Sequence, residues 1–380
     1  MKIFKSLSLA LGYFAYYGVL SLQFTYFPTY FLQVLKFSGA ELGMIYSGIP
    51  VIGLIAHPFW GQIADNTHKT GKIIRWCSFL SLLTLLPLCL FQNFWTIAAC
   101  FWMLSFFRSA LPSLLDTLTI TEFGMQKYSN IRMGGSAGYG FFAFLFPLFF
   151  TVNKIVPVLL GSLFLSWIST IFIGEEQGRA SKEKNPVYFF SLIKIPAFVI
   201  LISFSFFHWL SNMPYHLILD DHQSYMYVIK VTGYAVGIGI IAECLVMASA
   251  YKWLTKASPR FWLILAASIT ALRWALMSYP MEKGFFVALQ LLHGFSFAVF
   301  FLTSVSYLMS FVPEYMRASG QAIFSGITFS GGTFLGALYT GFLLDLPGKG
   351  FLVFGVSAIL SLLSVILALW IGKGDSMKKE

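Results

Sequence analysis

The sequence predicts an all-α polytopic membrane protein with twelve transmembrane helices in two six-helix halves. Three observations carry this. The 380 residues are 58% hydrophobic and 11% charged, with a mean hydropathy of +0.77, whereas a soluble domain is about a quarter charged. Apolar runs of the roughly 20 residues that a hydrocarbon core requires recur twelve times. Lys and Arg are dense in alternate breaks between those runs, the asymmetry that orients membrane helices. Phe, at 42 residues, suits side chains that face lipid.

The runs fall at approximately 7–35, 40–64, 73–91, 94–121, 131–152, 155–173, 196–219, 224–251, 260–279, 284–311, 317–343 and 350–372. The first is too long for a signal-peptide core of about 7–15 residues, so it reads as a spanning helix. The second opens on "SGAE", Ser38 to Glu41, the spacing of a capping box. After the sixth run comes the longest polar stretch, "GEEQGRASKEKNP". It divides the chain into an N-terminal half (1–173), a linker (174–195) and a C-terminal half (196–380). The other loops are too short for a further soluble domain.

Breaks on one side carry seventeen Lys and Arg residues. The other side carries four: Lys36, Lys154, Lys283 and Lys349. The remaining four, Arg108, Arg132, Lys230 and Arg273, lie within or beside runs. The bias predicts cytoplasmic termini and, for a cell of bacterial type, the inner membrane. The net charge of +10 is therefore spread over loops. It forms no basic arm, so nucleic acid is excluded as a partner. Cys77, Cys89, Cys100 and Cys244 sit in apolar runs without CxxC spacing and read as small buried hydrophobes. No nucleophile–base set and no metal constellation appears, so the sequence names no catalytic residue, no metal and no cofactor.

Gly is dense at "GGSAGYG" (134–140) and "SGGTFLGALYTG" (330–341). Small residues let helices approach closely in lipid. Two readings stay open: simple packing, or faces that rock during alternating access.

Charges inside spans need a polar reason, because each costs about 2.5–3.5 kcal/mol at the helix centre on insertion scales. Span four carries Arg108 and Asp116, eight residues apart and so on one helix face. Span five carries Arg132 and Tyr139, seven apart. An acid, an Arg and an aromatic plate suit a polar, ring-bearing solute, although hydropathy also allows a salt bridge near the cytoplasmic end. Spans eight, nine and ten carry Glu243, Arg273 and His293 near the bilayer middle. An acid, a permanent cation and a group titrating near neutrality equip a proton relay in which Glu243 pairs with Arg273. A purely structural ion-pair network is the alternative. The loop after span two reads "GQIADNTHKTGKIIR". Gly61, Asp65, Lys69 and Lys72 there can form a latch that holds one conformation, with Asp65 at a helix end beside the basic pair.

These pieces resemble the branch of the major facilitator superfamily that contains lactose permease, 3-phenylpropionate transporters and nucleoside:proton symporters. The matching segments are "GYFAYYG", the Asp65 loop, "LPSLLDTLT", "IRMGGSAGYG", "IAECL", "LRWALM", "LQLLHGF" and the Gly-rich span eleven. The resemblance implies that Asp116, Arg132 and Tyr139 bind substrate at the midplane, and that Glu243, Arg273 and His293 couple a proton to it. One departure is clear. The family's carboxylate one turn after the His is replaced by Ser296 and Phe297, which leaves Glu243 or Asp116 to carry the proton. The expected protein is a monomeric, proton-coupled symporter importing a small organic solute such as a sugar, nucleoside or aromatic carboxylate. A proton-driven exporter and a non-transporting sensor are the alternatives.

The topology is testable with reporter fusions. Fusions after Gln92 and Glu282 should read as external and fusions after Asn185 as internal; an internal reading after Gln92 breaks the six-plus-six plan.

Overall fold

A chain in hydrocarbon must satisfy each backbone amide within its own segment, which leaves the helix as the available element for a sequence of this pattern. The computed structural model describes residues 2–67, 69–174, 189–224, 230–313 and 317–372. Among them, besides the short helices Phe189–Leu192 and Ala250–Trp253, are twelve longer helical segments and no strands. We number them α1 (Lys2–Thr25, extended to Val34 by a short helix and a π turn), α2 (Gly39–Thr67), α3 (Thr70–Leu85), α4 (Phe94–Phe123), α5 (Met125–Phe149) and α6 (Ile155–Ile171). The series continues with α7 (Pro196–Ser224), α8 (Lys230–Ala248), α9 (Pro259–Met277), α10 (Lys283–Phe311), α11 (317–344) and α12 (Lys349–Ala368).

Ten of these are long and apolar enough to cross a membrane. The other two are α5 and α8. The first half of α5 is the polar stretch "MQKYSNIRMGG", and the apolar part of α8 is confined to Gly233–Ala248. Among the described residues, both helices are thus less apolar or shorter in their apolar part than the other ten. The linker expected at 174–195 lies largely in 175–188, outside the described residues.

The chain forms two compact units, Met1–Lys184 and Asn185–Glu380. In the first, α1 packs on α5 and α6, α2 on α4, and α3 on α6. In the second, α7 packs on α11 and α12, α8 on α10, and α9 on α12. The second pattern repeats the first with six added to each number, so the halves are structural repeats even though their sequences show only matching hydropathy. The Ser38–Glu41 capping box forms as expected. The Ser38 amide donates to Glu41 Oε2 at 2.8 Å and the Glu41 amide to Ser38 Oγ at 3.2 Å.

The glycine-rich faces work inside each half. A Cβ on Gly134 or Gly138 would strike the backbone carbonyl of Ala10 or Phe14 on α1, and one on Gly332 or Gly336 would meet Trp209 or Met213 on α7. Both faces are thus close-packing seams of α1 with α5 and of α7 with α11. Of the two readings of these glycines, the contacts carry the packing one. The cysteines divide: Cys77 and Cys100 are buried, but Cys89 and Cys244 are exposed. The expectation of four buried thiols fails for those two because an apolar run also has a face turned away from its own half.

These contacts predict opposite responses at two glycines. Gly138→Val, driven into the Phe14 carbonyl, should lower thermal stability sharply and reduce membrane yield, at a cost typical of overpacking, about 1–3 kcal/mol. Gly61→Ala, whose added Cβ meets nothing within 4 Å, should be neutral or gain up to about 1 kcal/mol of helix propensity. Equal melting temperatures for the two variants would contradict the packing account.

Candidate functional site

Two polar clusters lie inside the apolar halves, one in each. The first is built from α1, α4 and α5. Arg132 Nε lies 3.7 Å from Asp116 Oδ1, so the acid and the Arg singled out in the sequence do meet. The rings around them come from α1, in the segment "GYFAYYG". Tyr13 donates to Asp116 Oδ1 at 2.6 Å and also contacts Thr119 Oγ1 at 3.3 Å. Arg132 donates through Nη2 to the Tyr17 hydroxyl at 2.8 Å. Its guanidinium also stands over the Tyr17 ring at 5.1 Å and the Tyr13 ring at 5.8 Å, within cation–π range. Tyr13 and Tyr17 are four residues apart and so share one face of α1; that spacing was the available signal, and sequence reasoning did not use it. Tyr139, expected as the aromatic plate, is half-buried on α5 two turns beyond Arg132 and within electrostatic reach of Tyr46. The rings that stack on Arg132 are those of α1.

Arg108 does not join Asp116. The helical ladder breaks at 109–110, just before Pro112, and turns Arg108 away. The eight-residue spacing on one face fails because α4 is not one continuous helix. Arg108 is buried, with Nη2 donating to the Tyr16 carbonyl at 2.8 Å and its guanidinium 4.6 Å over the Tyr16 ring.

The ion pair itself is open. The Arg132 and Asp116 side chains keep 36% and 30% of their surface. A long, half-exposed pair is weakly held, so a solute's hydroxyl or carboxylate can compete for either partner at small cost.

The second cluster is the reverse, closed around a cation whose two terminal nitrogens are bonded and whose Nε has no partner. Arg273 on α9 is fully buried. Its Nη1 reaches His293 Nδ1 at 3.2 Å and Ser296 Oγ at 3.1 Å, and Nη2 reaches Gln290 Oε1 at 2.5 Å. The Tyr215 and Trp274 rings cover its faces at 4.4 and 4.6 Å. On the far side of the imidazole, His293 Nε2 lies 3.5 Å from Glu243 Oε2. The order is therefore Glu243–His293–Arg273. The expected direct pairing of Glu243 with Arg273 does not occur, because Gln290 and Ser296 from α10 occupy the guanidinium and the imidazole stands between the charges. Gln290 has no charge to mark it in the sequence. Ser296 was noted only as standing where the family has an acid.

The line fixes a tautomer. Arg273 can only donate, so His293 Nδ1 must accept, and the ring proton sits on Nε2, facing the carboxylate. Gly294 makes the approach possible, since a Cβ there would lie 2.8 Å from the Ala242 carbonyl of α8.

Of the four residues of the expected latch, Gly61 is half-buried on α2, and Lys69 and Lys72 are exposed. The Asp65 side chain lies outside what the structure describes.

A twelve-segment helical chain in two repeated halves, with a polar cluster inside each, has the make-up of a membrane transporter. The chain belongs to the MFS_1 like family, whose model matches residues 6–354. It is 24% identical to "Uncharacterized transporter YwbF" of Bacillus subtilis (strain 168), over 90% of this chain and 87% of that one. It is 25% identical to the "Probable 3-phenylpropionic acid transporter" of Escherichia coli (strain K12), over 94% of this chain and 96% of that one. In fold it is similar to a crystal structure of a mutant of the nucleoside transporter NupG, with a TM-score of 0.87, 18% identity, and coverage of 97% of this chain and all of that one. These relatives are transporters, not enzymes, and the protein is a multi-pass membrane protein of the same family.

The two ends of the Arg273 line should differ in what they contribute to stability. Gln290→Leu strands a guanidinium nitrogen and should destabilise the protein by about 1–3 kcal/mol. Glu243→Gln, at the less buried end, should leave the melting temperature of the detergent-solubilised protein nearly unchanged. A stable Gln290→Leu variant would show that Arg273 finds its partners elsewhere.

Proposed function

We propose that the protein is a proton-coupled symporter that imports a small organic solute by alternating access. In this reading it works as a monomer in a bacterial inner membrane, with both termini in the cytoplasm. The observation that carries the proposal is the Glu243–His293–Arg273 line, with its acid at the less buried end and its cation fully enclosed. Arg273 occupies His293 Nδ1, so the imidazole cannot pass a proton through the ring without losing that contact. The proton therefore waits on Glu243, beside a donor whose presence depends on the helix positions. A shift of α8 against α10 changes the contact and with it the proton affinity of Glu243. A ligand that binds one conformation better than the other is thereby linked to the proton.

In the same reading Asp116, Arg132, Tyr13 and Tyr17 bind the solute, with Tyr139 on the approach and Arg108, buried against Tyr16, supporting α1 behind them. Asp116 accepts from solute hydroxyls, Arg132 donates to a carboxylate or hydroxyl oxygen, and the α1 rings cover an apolar or ring-bearing body. One relative is a "Probable 3-phenylpropionic acid transporter", and its named solute bears a ring. That supports the same class here. The loop from Gly61 through Asp65 to Lys69 and Lys72 is proposed to latch one conformation.

The test is uptake by the purified protein in lipid vesicles under an imposed proton gradient, with a disaccharide, a nucleoside and 3-phenylpropionate as probes. At least one probe should accumulate, and a protonophore should abolish the accumulation. Asp116→Ala and Arg132→Ala should insert normally and lose binding of that probe. Asp65→Asn should slow turnover more than it weakens binding. Unchanged affinity in both cluster variants would return Asp116 and Arg132 to a structural salt bridge. Accumulation that ignores the protonophore would remove proton coupling.

A further inference from the structure

His208 on α7 is fully buried and has no part in the line just described. Its Nε2 lies 2.8 Å from the backbone carbonyl of Ser296. A carbonyl only accepts, so His208 carries its proton on Nε2. Its other nitrogen, Nδ1, is buried without a partner, so adding a proton there would enclose an unanswered charge. This histidine is a fixed neutral donor. Its own backbone is pinned as well: the carbonyl of His208 accepts from Ser211 Oγ and from Asn212 Nδ2, each at 2.7 Å. The ring lies 4.3 Å from that of Phe300, centre to centre, and 5.7 Å from that of Phe204.

The acceptor is placed where it matters. Ser296 lies in a π turn, Gly294–Val299, that interrupts α10 directly after His293. Such turns widen the backbone ladder and occur often at functional sites. The Ser296 hydroxyl takes a hydrogen bond from Arg273 Nη1, the same nitrogen that contacts His293 Nδ1. One residue thus meets His208 through its backbone and Arg273 through its side chain.

We propose that His208 is a positioning residue for the proton site: by holding the Ser296 carbonyl it sets the π turn so that Arg273 keeps His293 in the tautomer that faces Glu243. This rests on the proton-coupled reading above, but its test needs no substrate. Without the Nε2–H donor, the turn is free to relax, Ser296 Oγ leaves Arg273, and the guanidinium no longer commits to His293 Nδ1. The imidazole then samples both tautomers.

The experiment is nitrogen NMR on protein carrying ¹⁵N-labelled histidine in lipid, with the His293 signals assigned by their loss in His293→Gln. In the unaltered protein His293 should show a single tautomer, protonated at Nε2. His208→Phe keeps the aromatic packing against Phe204 and Phe300 and removes the donor; it should give a mixture of tautomers. Ser296→Ala, which leaves the His208 bond intact and removes only the hydroxyl, should give the same mixture. If His208→Phe fails to fold, His208→Leu, which also removes the donor, carries the test. His208→Gln, which can present an amide N–H to the same carbonyl, should restore the single form. A single Nε2-protonated His293 in His208→Phe would overturn the assignment, whatever Ser296→Ala gives. A single tautomer in the unaltered protein, together with uptake that ignores the proton gradient, would sink the proton-coupled reading and leave this positioning role standing.

Discussion

A guanidinium enclosed in a helix bundle at membrane depth must find its partners within that bundle, and Arg273 is the group on which the C-terminal half is organised. Leaving such a cation unanswered costs several kcal/mol even after relaxation. Gln290, Ser296 and His293 meet that demand at the two terminal nitrogens from three successive turns of α10, Nε is left without a partner, and Tyr215 and Trp274 close the guanidinium's faces. The consequences reach outward. α10 is held to α9 in one rotation, the π turn stays where Ser296 can accept, and His293 is left with a single nitrogen to offer. Glu243 is where that constraint meets a group able to gain or lose a proton.

The N-terminal half treats the same residue type differently. Arg132 keeps a third of its side-chain surface and holds Asp116 at 3.7 Å, with tyrosines in place of amides as its other partners. An open pair of this kind exchanges partners cheaply, whereas Arg273 cannot. One half therefore holds its cation in an exchangeable pair and the other in a fixed electrostatic element. The two halves repeat each other in helix packing and differ in how completely the cation is enclosed.

Much of this was legible in the sequence, and the failures have physical causes. Hydropathy locates helices because hydrocarbon leaves no other backbone solution, and in-span charges announce themselves by their cost. Asp116 with Arg132, and Glu243 with His293 and Arg273, were found that way. What stayed hidden is uncharged. Tyr13, Tyr17 and Gln290 pass for ordinary lipid-compatible or helical residues, and only the fold brings them to the cations. Arg108 was misplaced because a break at 109–110 ended the periodicity assumed to run through to Asp116. The order of the second cluster was misjudged because charge predicts which groups attract, while a neutral imidazole and a neutral amide decided which of them touch.

The central claim is that the proton resides on Glu243, and it is tested most directly by separating accumulation from exchange in Glu243→Gln. The amide mimics the protonated acid. Reconstituted with a probe that the unaltered protein accumulates, the variant should exchange that probe across the membrane at near-normal rates. It should fail to concentrate it under a proton gradient. A Glu243→Gln protein that still concentrates the probe in proportion to the gradient would contradict the account and move the proton to another group, with Asp116 the next in line.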